Sequence, residues 1–238
     1  MRKNINIEIE PCERCKGLGT TCFQALGVDK LNEVSEFKSG EFYKKGQTIF
    51  YEGNHPQGLF CVKNGKIKIH KTGDDGKEQI TRFVSSGEFL GYRALLSDEV
   101  YSASATAIDD TSVCFIPKHI YMELLETEHK FSLNMLKLLS EDLKDSESKM
   151  INLLQKPVRE KIAEALLILR RSFGFEADGK TLDVVITRRE IGEIAGITTE
   201  TTIRTLSDFK KERLISFNQK KIVVENLTAL IRTAGLVD

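Results

Sequence analysis

At 238 residues, with 40% hydrophobic and 29% charged side chains, the chain carries enough apolar material for cores and enough charge for a surface, which excludes a disordered polymer. It exceeds one average domain, and two modest domains are the expectation. Lys plus Arg balance Asp plus Glu at 35 each, so the molecule as a whole is no polycation and any nucleic-acid binding must come from a local basic surface.

The stretch Met1 to Glu10 alternates charge with isolated isoleucines and has no apolar run of the kind a signal peptide needs. No later stretch approaches the ~20 apolar residues of a membrane span, so a cytoplasmic protein without a membrane partner is expected. Five cysteines in such a chain read as free thiols or metal ligands rather than a disulfide framework.

From about Glu36 to Pro117 the sequence falls into short β-rich runs: Thr48 to Tyr51, Leu59 to Val62, Ile67 to Lys71 and Gln79 to Val84. Gly46, Gly53, Gly65, Gly76 and Gly87 punctuate them, which fits antiparallel strands joined by tight turns in a sandwich, roll or barrel. Lys130 to Leu154 then contains neither Gly nor Pro and reads as one long helix. Its apolar positions Met135, Leu139, Leu143, Met150 and Leu153 step by threes and fours, as in a two-helix seam interrupted by Ser146. A helix covering its own domain's core gives the same pattern.

Pro157 interrupts that helix and marks a domain boundary. Beyond it, Arg159 to Ser172 reads as an amphipathic helix with Ile162, Leu166 and Leu169 inward, followed by a loop from Gly174 to Lys180. Thr187 followed by Glu190 is a capping box opening a helix to about Ala195, closed by Gly196. Thr198 then caps a second helix to about Lys211, with Thr202, Leu206 and Phe209 inward. Helix, short glycine turn and helix form a DNA-binding motif.

On the outer face of the second helix lie Thr199, Glu200, Ile203, Arg204 and Ser207. Arg204 can bond bidentately to guanine, Glu200 can accept from the cytosine amino group, and Ile203 can press on a thymine methyl. Glu200 and Arg204 could equally be an i, i+4 surface pair worth ~0.3 kcal/mol. Lys210, Lys211, Arg213, Lys220 and Lys221, against the single acid Glu212, bracket a hairpin of Leu214 to Phe217 and Ile222 to Val224. Lys220 and Lys221, in its Asn218 to Lys221 tip, are candidate phosphate contacts.

The order β-roll, long helix, winged helix resembles the Crp/Fnr family of bacterial transcription regulators over the chain after Cys22. The carriers are K-K-G-Q-T-I-F-Y-E-G at Lys44 to Gly53, T-R-R-E-I-G-E-I-A-G at Thr187 to Gly196, and T-E-T-T-I-R at Thr199 to Arg204. The resemblance implies an α+β chain with a cysteine-bearing segment at 1–24, a cyclic-nucleotide-binding-type β-roll sensor at 25–128, a dimerisation helix at 129–157 and a winged helix-turn-helix DNA-binding domain at 158–238. It implies a non-enzymatic homodimer meeting itself through Leu139, Leu143, Met150 and Leu153. Such a dimer reads palindromic double-stranded DNA through Glu200 and Arg204, with RNA polymerase as the expected protein partner.

Cyclic-AMP-binding relatives carry a glutamate for the ribose and an arginine for the cyclic phosphate after a G-D/E-F-x-G run. Here Gly87 to Gly91 matches the run, Tyr92 takes the glutamate's place, and Tyr101 precedes Ser102 and Ala103 where the arginine would stand. Without that charge-assisted partner a buried phosphate is uncompensated, and tight cyclic AMP binding is not expected. Tyr92, Tyr101 and Ser102 remain candidates for a pocket that takes another organic effector or haem.

Cys12, Cys15 and Cys22 form C-x2-C-x6-C, and Cys114 sits in T-S-V-C-F-I-P. The Fnr branch is similar: an N-terminal trio with x5 in the second spacer, and a late-strand cysteine, hold a [4Fe-4S] cluster. The resemblance implies redox or oxygen sensing through these four, with Arg14 and Lys16 favouring thiolates. Inert thiols, a zinc site and a cysteine-metal redox protein are the other readings of the same residues. Cys61, between Phe60 and Val62, reads as a small buried hydrophobe.

Overall fold

The computed structural model describes residues 10–15 and 21–236; Lys16 lies outside them. Two compact units emerge. One takes in the described residues up to Thr72 together with Thr81–Leu143, the other Gly73–Ile80 with Lys144 onward.

Two single 3-10 turns, Cys12–Arg14 and Cys22–Ala25, precede helix α1 (Val28–Phe37). Strands β1 (Ser39–Tyr43), β2 (Thr48–Phe50), β3 (Gly58–Asn64), β4 (Lys66–Thr72), β5 (Glu78–Ser85) and β6 (Phe89–Leu90) follow. Then come α2 (Tyr92–Ser97), β7 (Ser104–Ala107), β8 (Thr111–Pro117), α3 (Lys118–Thr127) and the long α4 (His129–Gln155). The strands form two four-stranded sheets, ordered β1-β8-β3-β6 and β2-β7-β4-β5.

Because successive strand residues face opposite ways, β3 and β8 sort their side chains between two cores. Phe60, Val62 and Val113 join Phe50, Ile67, Val84, Leu90 and Ala105 between the sheets. Leu59, Cys61 and Ile116 turn to the outer face, where Val34 of α1, Tyr121 and Leu124 of α3, and Phe131 and Met135 of α4 cover them. Full burial of each large apolar side chain stabilises by about 1.5–3 kcal/mol, so this outer layer is a structural core in its own right. The expected strands and long helix are all present.

In the second unit α5 (Val158–Phe173) starts after Pro157 and buries Ile162, Leu166 and Leu169, as the sequence pattern indicates. The helices α6 (Arg188–Ala195) and α7 (Thr199–Lys211), the hairpin β9 (Ile215–Asn218) with β10 (Lys221–Val224), and α8 (Leu227–Thr233) complete it. The sequence pattern alone does not announce α8, whose Asn226 cap accepts from the Ala229 amide. This is a winged helix-turn-helix.

α4 carries two apolar stripes. Phe131, Met135, Leu138 and Leu139 pack into the outer core of the first unit. A second stripe stays wet, with Leu136 60%, Leu143 61%, Met150 57% and Leu154 78% exposed. Of the four seam candidates, Leu143 and Met150 therefore lie on the open stripe. Leu139 is half-buried in its own chain, and half-buried Leu153 stands 3.3 Å from where a Gly196 side chain would begin.

Candidate functional site

Helix-turn-helix geometry is set by local chemistry. The Thr187 hydroxyl accepts from the Glu190 amide (3.1 Å) while Glu190 Oε2 accepts from the Thr187 amide (2.9 Å), closing the capping box at α6. Gly196 ends that helix with φ +64°, a conformation glycine adopts without steric cost. Inside α6, a Cβ on Gly192 would stand 2.6 Å from the Ile197 carbonyl oxygen, so the close turn between α6 and α7 requires glycine there. Nothing in the local sequence marks Gly192 for that role.

Thr198 caps α7, accepting from the Thr201 amide at 3.4 Å. Thr202, Leu206 and Phe209 are buried, leaving Glu200, Ile203, Arg204 and Ser207 exposed and Thr199 half-buried at the first turn. Among the described residues Glu200 and Arg204 have no ion pair with one another or with any other side chain. The alternative of a surface pair is thus not formed, and both heads are free to reach a ligand. Ser207 is partly committed, since its hydroxyl donates to the Ile203 carbonyl at 2.9 Å.

The wing turns through Gln219, at φ +54°, with Lys220 exposed at its tip. Lys221 differs from expectation. It opens β10 and pairs with the Glu176 carboxylate, so its charge is spent within the unit. Arg188, not among the residues expected at the interface, lies 4.1 Å over the Phe217 ring of the wing, a stacking that an arginine at the first position of α6 makes by cation–π attraction.

In the sensor unit the tyrosine candidates separate. Tyr92 belongs to the outer core and Tyr101 to the core between the sheets, so they do not line one pocket, and Ser102 is exposed. The Tyr92 hydroxyl accepts from Arg82 Nη1 at 2.7 Å and donates to the Asp142 carboxylate of α4. Tyr101 stacks on Phe50 with centroids 3.8 Å apart, and burial pushes its phenol up to about 12.

The cysteines also depart from the expected grouping. The Cys12 amide donates to Ser35 Oγ (2.8 Å), the Cys15 amide to the Cys12 carbonyl (3.1 Å), and Lys38 Nζ reaches Cys12 Sγ at 3.3 Å. Cys114 has Lys38, Cys15, Cys12 and Lys63 as its charged or titratable neighbours. Cys22 packs, like Cys114, against the outer core that contains Cys12, near Glu141 and near Tyr121, whose buried hydroxyl lacks a hydrogen-bond partner among the described residues. Burial pushes the Cys22, Cys61 and Cys114 thiols up, which suits Cys61 as a buried hydrophobe and departs from the expected thiolates at Cys22 and Cys114. Among the described residues no three His, Cys, Asp or Glu side chains converge to metal-binding spacing. The donor chemistry fits a soft, thiol-ligated centre; the spacing of the described thiols does not.

A cyclic-nucleotide-type β-roll, a long helix and a winged helix-turn-helix with a free acid and a free base on its outer helix define a DNA-binding transcription regulator, not an enzyme. The cyclic nucleotide-binding domain model matches residues 41–128 and the Crp-like helix-turn-helix domain model residues 160–233. The transcriptional activator protein anr of Pseudomonas aeruginosa is 31% identical over 242 aligned positions, covering 99% of this chain and 98% of that protein. The fumarate and nitrate reduction regulatory protein of Escherichia coli is 30% identical over 211, covering 87% and 82%. FixK2 from Bradyrhizobium japonicum shares the fold, with a TM-score of 0.75 at 24% identity over 84% of this chain and 99% of that one. The chain belongs to the Crp/Fnr family of transcription regulators. Among the described residues no helix is long and apolar enough to cross a membrane.

Proposed function

We propose that the protein binds a palindromic site on double-stranded DNA as a homodimer in the cytoplasm and regulates transcription there with RNA polymerase, in response to oxygen or redox state. The observation that carries the DNA-reading part is the unpaired Glu200 and Arg204 on the open face of α7. An arginine that has no protein partner can give its whole fork to guanine, and the glutamate one turn away selects the paired cytosine. The apolar stripe Leu136, Leu143, Met150 and Leu154 recurs at intervals of seven, seven and four and supports pairing of two α4 helices. Pairing would set two recognition helices about 34 Å apart on one DNA face.

The reading of the signal rests on the thiols of Cys12, Cys15, Cys22 and Cys114, which would hold an iron-sulfur cluster. Such a cluster, when bound, supplies an oxygen-labile redox centre. Relatives about 30% identical, one of them named for fumarate and nitrate reduction, support this reading. Cyclic AMP is not the proposed signal, because Tyr101 stacked on Phe50 stands where relatives place the phosphate-binding arginine.

Selection of DNA sites from a random pool by the anaerobically loaded protein tests the proposal. It is expected to return a palindrome, and Glu200→Ala and Arg204→Ala are expected to weaken binding to it. Binding as tight as the parent's by both variants contradicts it.

A further inference from the structure

We infer that Phe217 of the wing is a positioning residue for DNA binding: its ring holds the Arg188 guanidinium ready for a backbone phosphate, alongside the contact expected of Lys220. This goes beyond the base-reading face of α7 and rests on DNA as the ligand.

Two arginines open α6, and their settings differ. Arg189 is committed within the unit, pairing with Glu193 at 2.6 Å and Glu78 at 3.5 Å. Among the described residues no carboxylate pairs with Arg188. Glu190, the acid of the first turn, bonds instead with the Thr187 amide and hydroxyl. Arg188 is nevertheless half-buried, and desolvation lowers its pKa with no charged neighbour opposing the shift. A cation at the first position of a helix also meets the positive end of the backbone dipole. Desolvation and dipole thus both disfavour this charge. Against them stands the Phe217 ring, 4.1 Å from the guanidinium carbon, a partner that attracts a cation without neutralising it. The partner still lacking is an anion.

The wing supplies the ring by strand register. Phe217 is last but one in β9, directly opposite buried Ile222 of β10. Opposed residues share a face of the sheet, so the ring turns inward, three positions before the exposed Lys220 of the tip. Stacking occupies the flat face of the guanidinium and leaves its rim of N–H donors for phosphate oxygens. It also fixes a rotamer-rich side chain before DNA arrives, which removes an ordering cost from binding. A carboxylate would do the opposite and occupy those donors, as Glu176 occupies the Lys221 ammonium.

The test measures affinity of the full chain at several salt concentrations for two duplexes, the selected palindrome and one of mixed sequence. Parent, Arg188→Met, Phe217→Leu, Phe217→Tyr and the Arg188→Met, Phe217→Leu double variant are compared, with thermal denaturation as the folding control. Arg188→Met keeps the stem on the ring and is expected to lower the salt slope by about 0.9 on both duplexes. Phe217→Leu is expected to weaken both complexes roughly three- to tenfold, and Phe217→Tyr, which keeps the ring, to bind as the parent does. In the Arg188→Met background the leucine should add no further loss. An equal loss from Phe217→Leu in both backgrounds assigns the ring to packing alone and overturns the inference. An unchanged salt slope in folded Arg188→Met overturns it too, and that arm stands even where Phe217→Leu does not fold. A parent that binds neither duplex overturns the DNA-binding reading itself and is recognised without any variant.

Discussion

Arg82 on β5 and Asp142 on α4 meet at 3.0 Å, with the Tyr92 hydroxyl bonded to both. Arg93 adds a second guanidinium at 2.7 Å. A sensor strand, the short helix α2 and the long helix are thus tied by one half-buried carboxylate. Burial alone would raise the Asp142 carboxyl, but Arg82, the Tyr92 bond and Arg93 outweigh it and hold it below the usual range.

Removing that carboxylate strands Arg82 and the tyrosine hydroxyl. Asp142→Ala is expected to cost about 2–3 kcal/mol, less than a fully buried pair because Arg82 keeps some access to solvent. The folded carboxyl titrates below its unfolded value. Its contribution is therefore complete above about pH 4 and is lost as the pH falls through the folded value. Urea titrations of parent and variant should converge at low pH; a constant gap from about pH 7 down to about pH 3 would contradict the assignment.

Lys149 shows the opposite linkage. Burial lowers it to about 8, with Glu164 opposing. Since the folded value lies below the unfolded one, the cost of its charge is full below about pH 8 and fades as the pH rises from there to about 10.4. Lys149→Met is expected to melt higher than the parent at about pH 6–7, with the advantage shrinking above about pH 8. Equal melting temperatures across that range would refute it.

Gly192→Ala is expected to destabilise the winged-helix unit by about 1–3 kcal/mol, since its Cβ would overlap backbone rather than a movable side chain. Loss of DNA binding should follow the loss of fold in thermal denaturation. Unchanged melting would show that the α6–α7 turn can relax.

Recognition of DNA should separate by kind. Arg204→Ala is expected to cost about 1–3 kcal/mol and relax specificity at one base pair, whereas Lys220→Ala should weaken all sites evenly and lower the salt slope by about 0.9 for the phosphate it no longer neutralises. Lys221→Ala should do less, because Glu176 already holds that ammonium. Affinities at several salt concentrations on the selected site and a one-base mismatch check all three.

The elements around Thr187, Glu190, Gly196 and Thr198 are legible in the sequence because caps and glycine turns act within a few residues of themselves. Features that depend on distant partners are not. The Lys221–Glu176 pair spans 45 positions, and Cys61 meets Cys114 only through strand register. Apolar spacing places α4 correctly, yet it cannot separate two stripes, one for the chain's own core and one left open. Leu139 and Leu153 therefore fall into one pattern with Leu143 and Met150, while Leu136 and Leu154 of the open stripe stand outside it. Tyr92 and Tyr101 sit nearby in sequence, but the sheet between them sends their rings into different cores.

Redox control of DNA binding by a dimer is decided by titrating one selected palindromic duplex with anaerobically loaded protein, before and after admitting air, and following affinity and stoichiometry together. Two chains per duplex are expected, with at least a roughly tenfold weaker complex after air, equivalent to about 1.4 kcal/mol. One chain per duplex, or the same affinity in both states, is incompatible with that control.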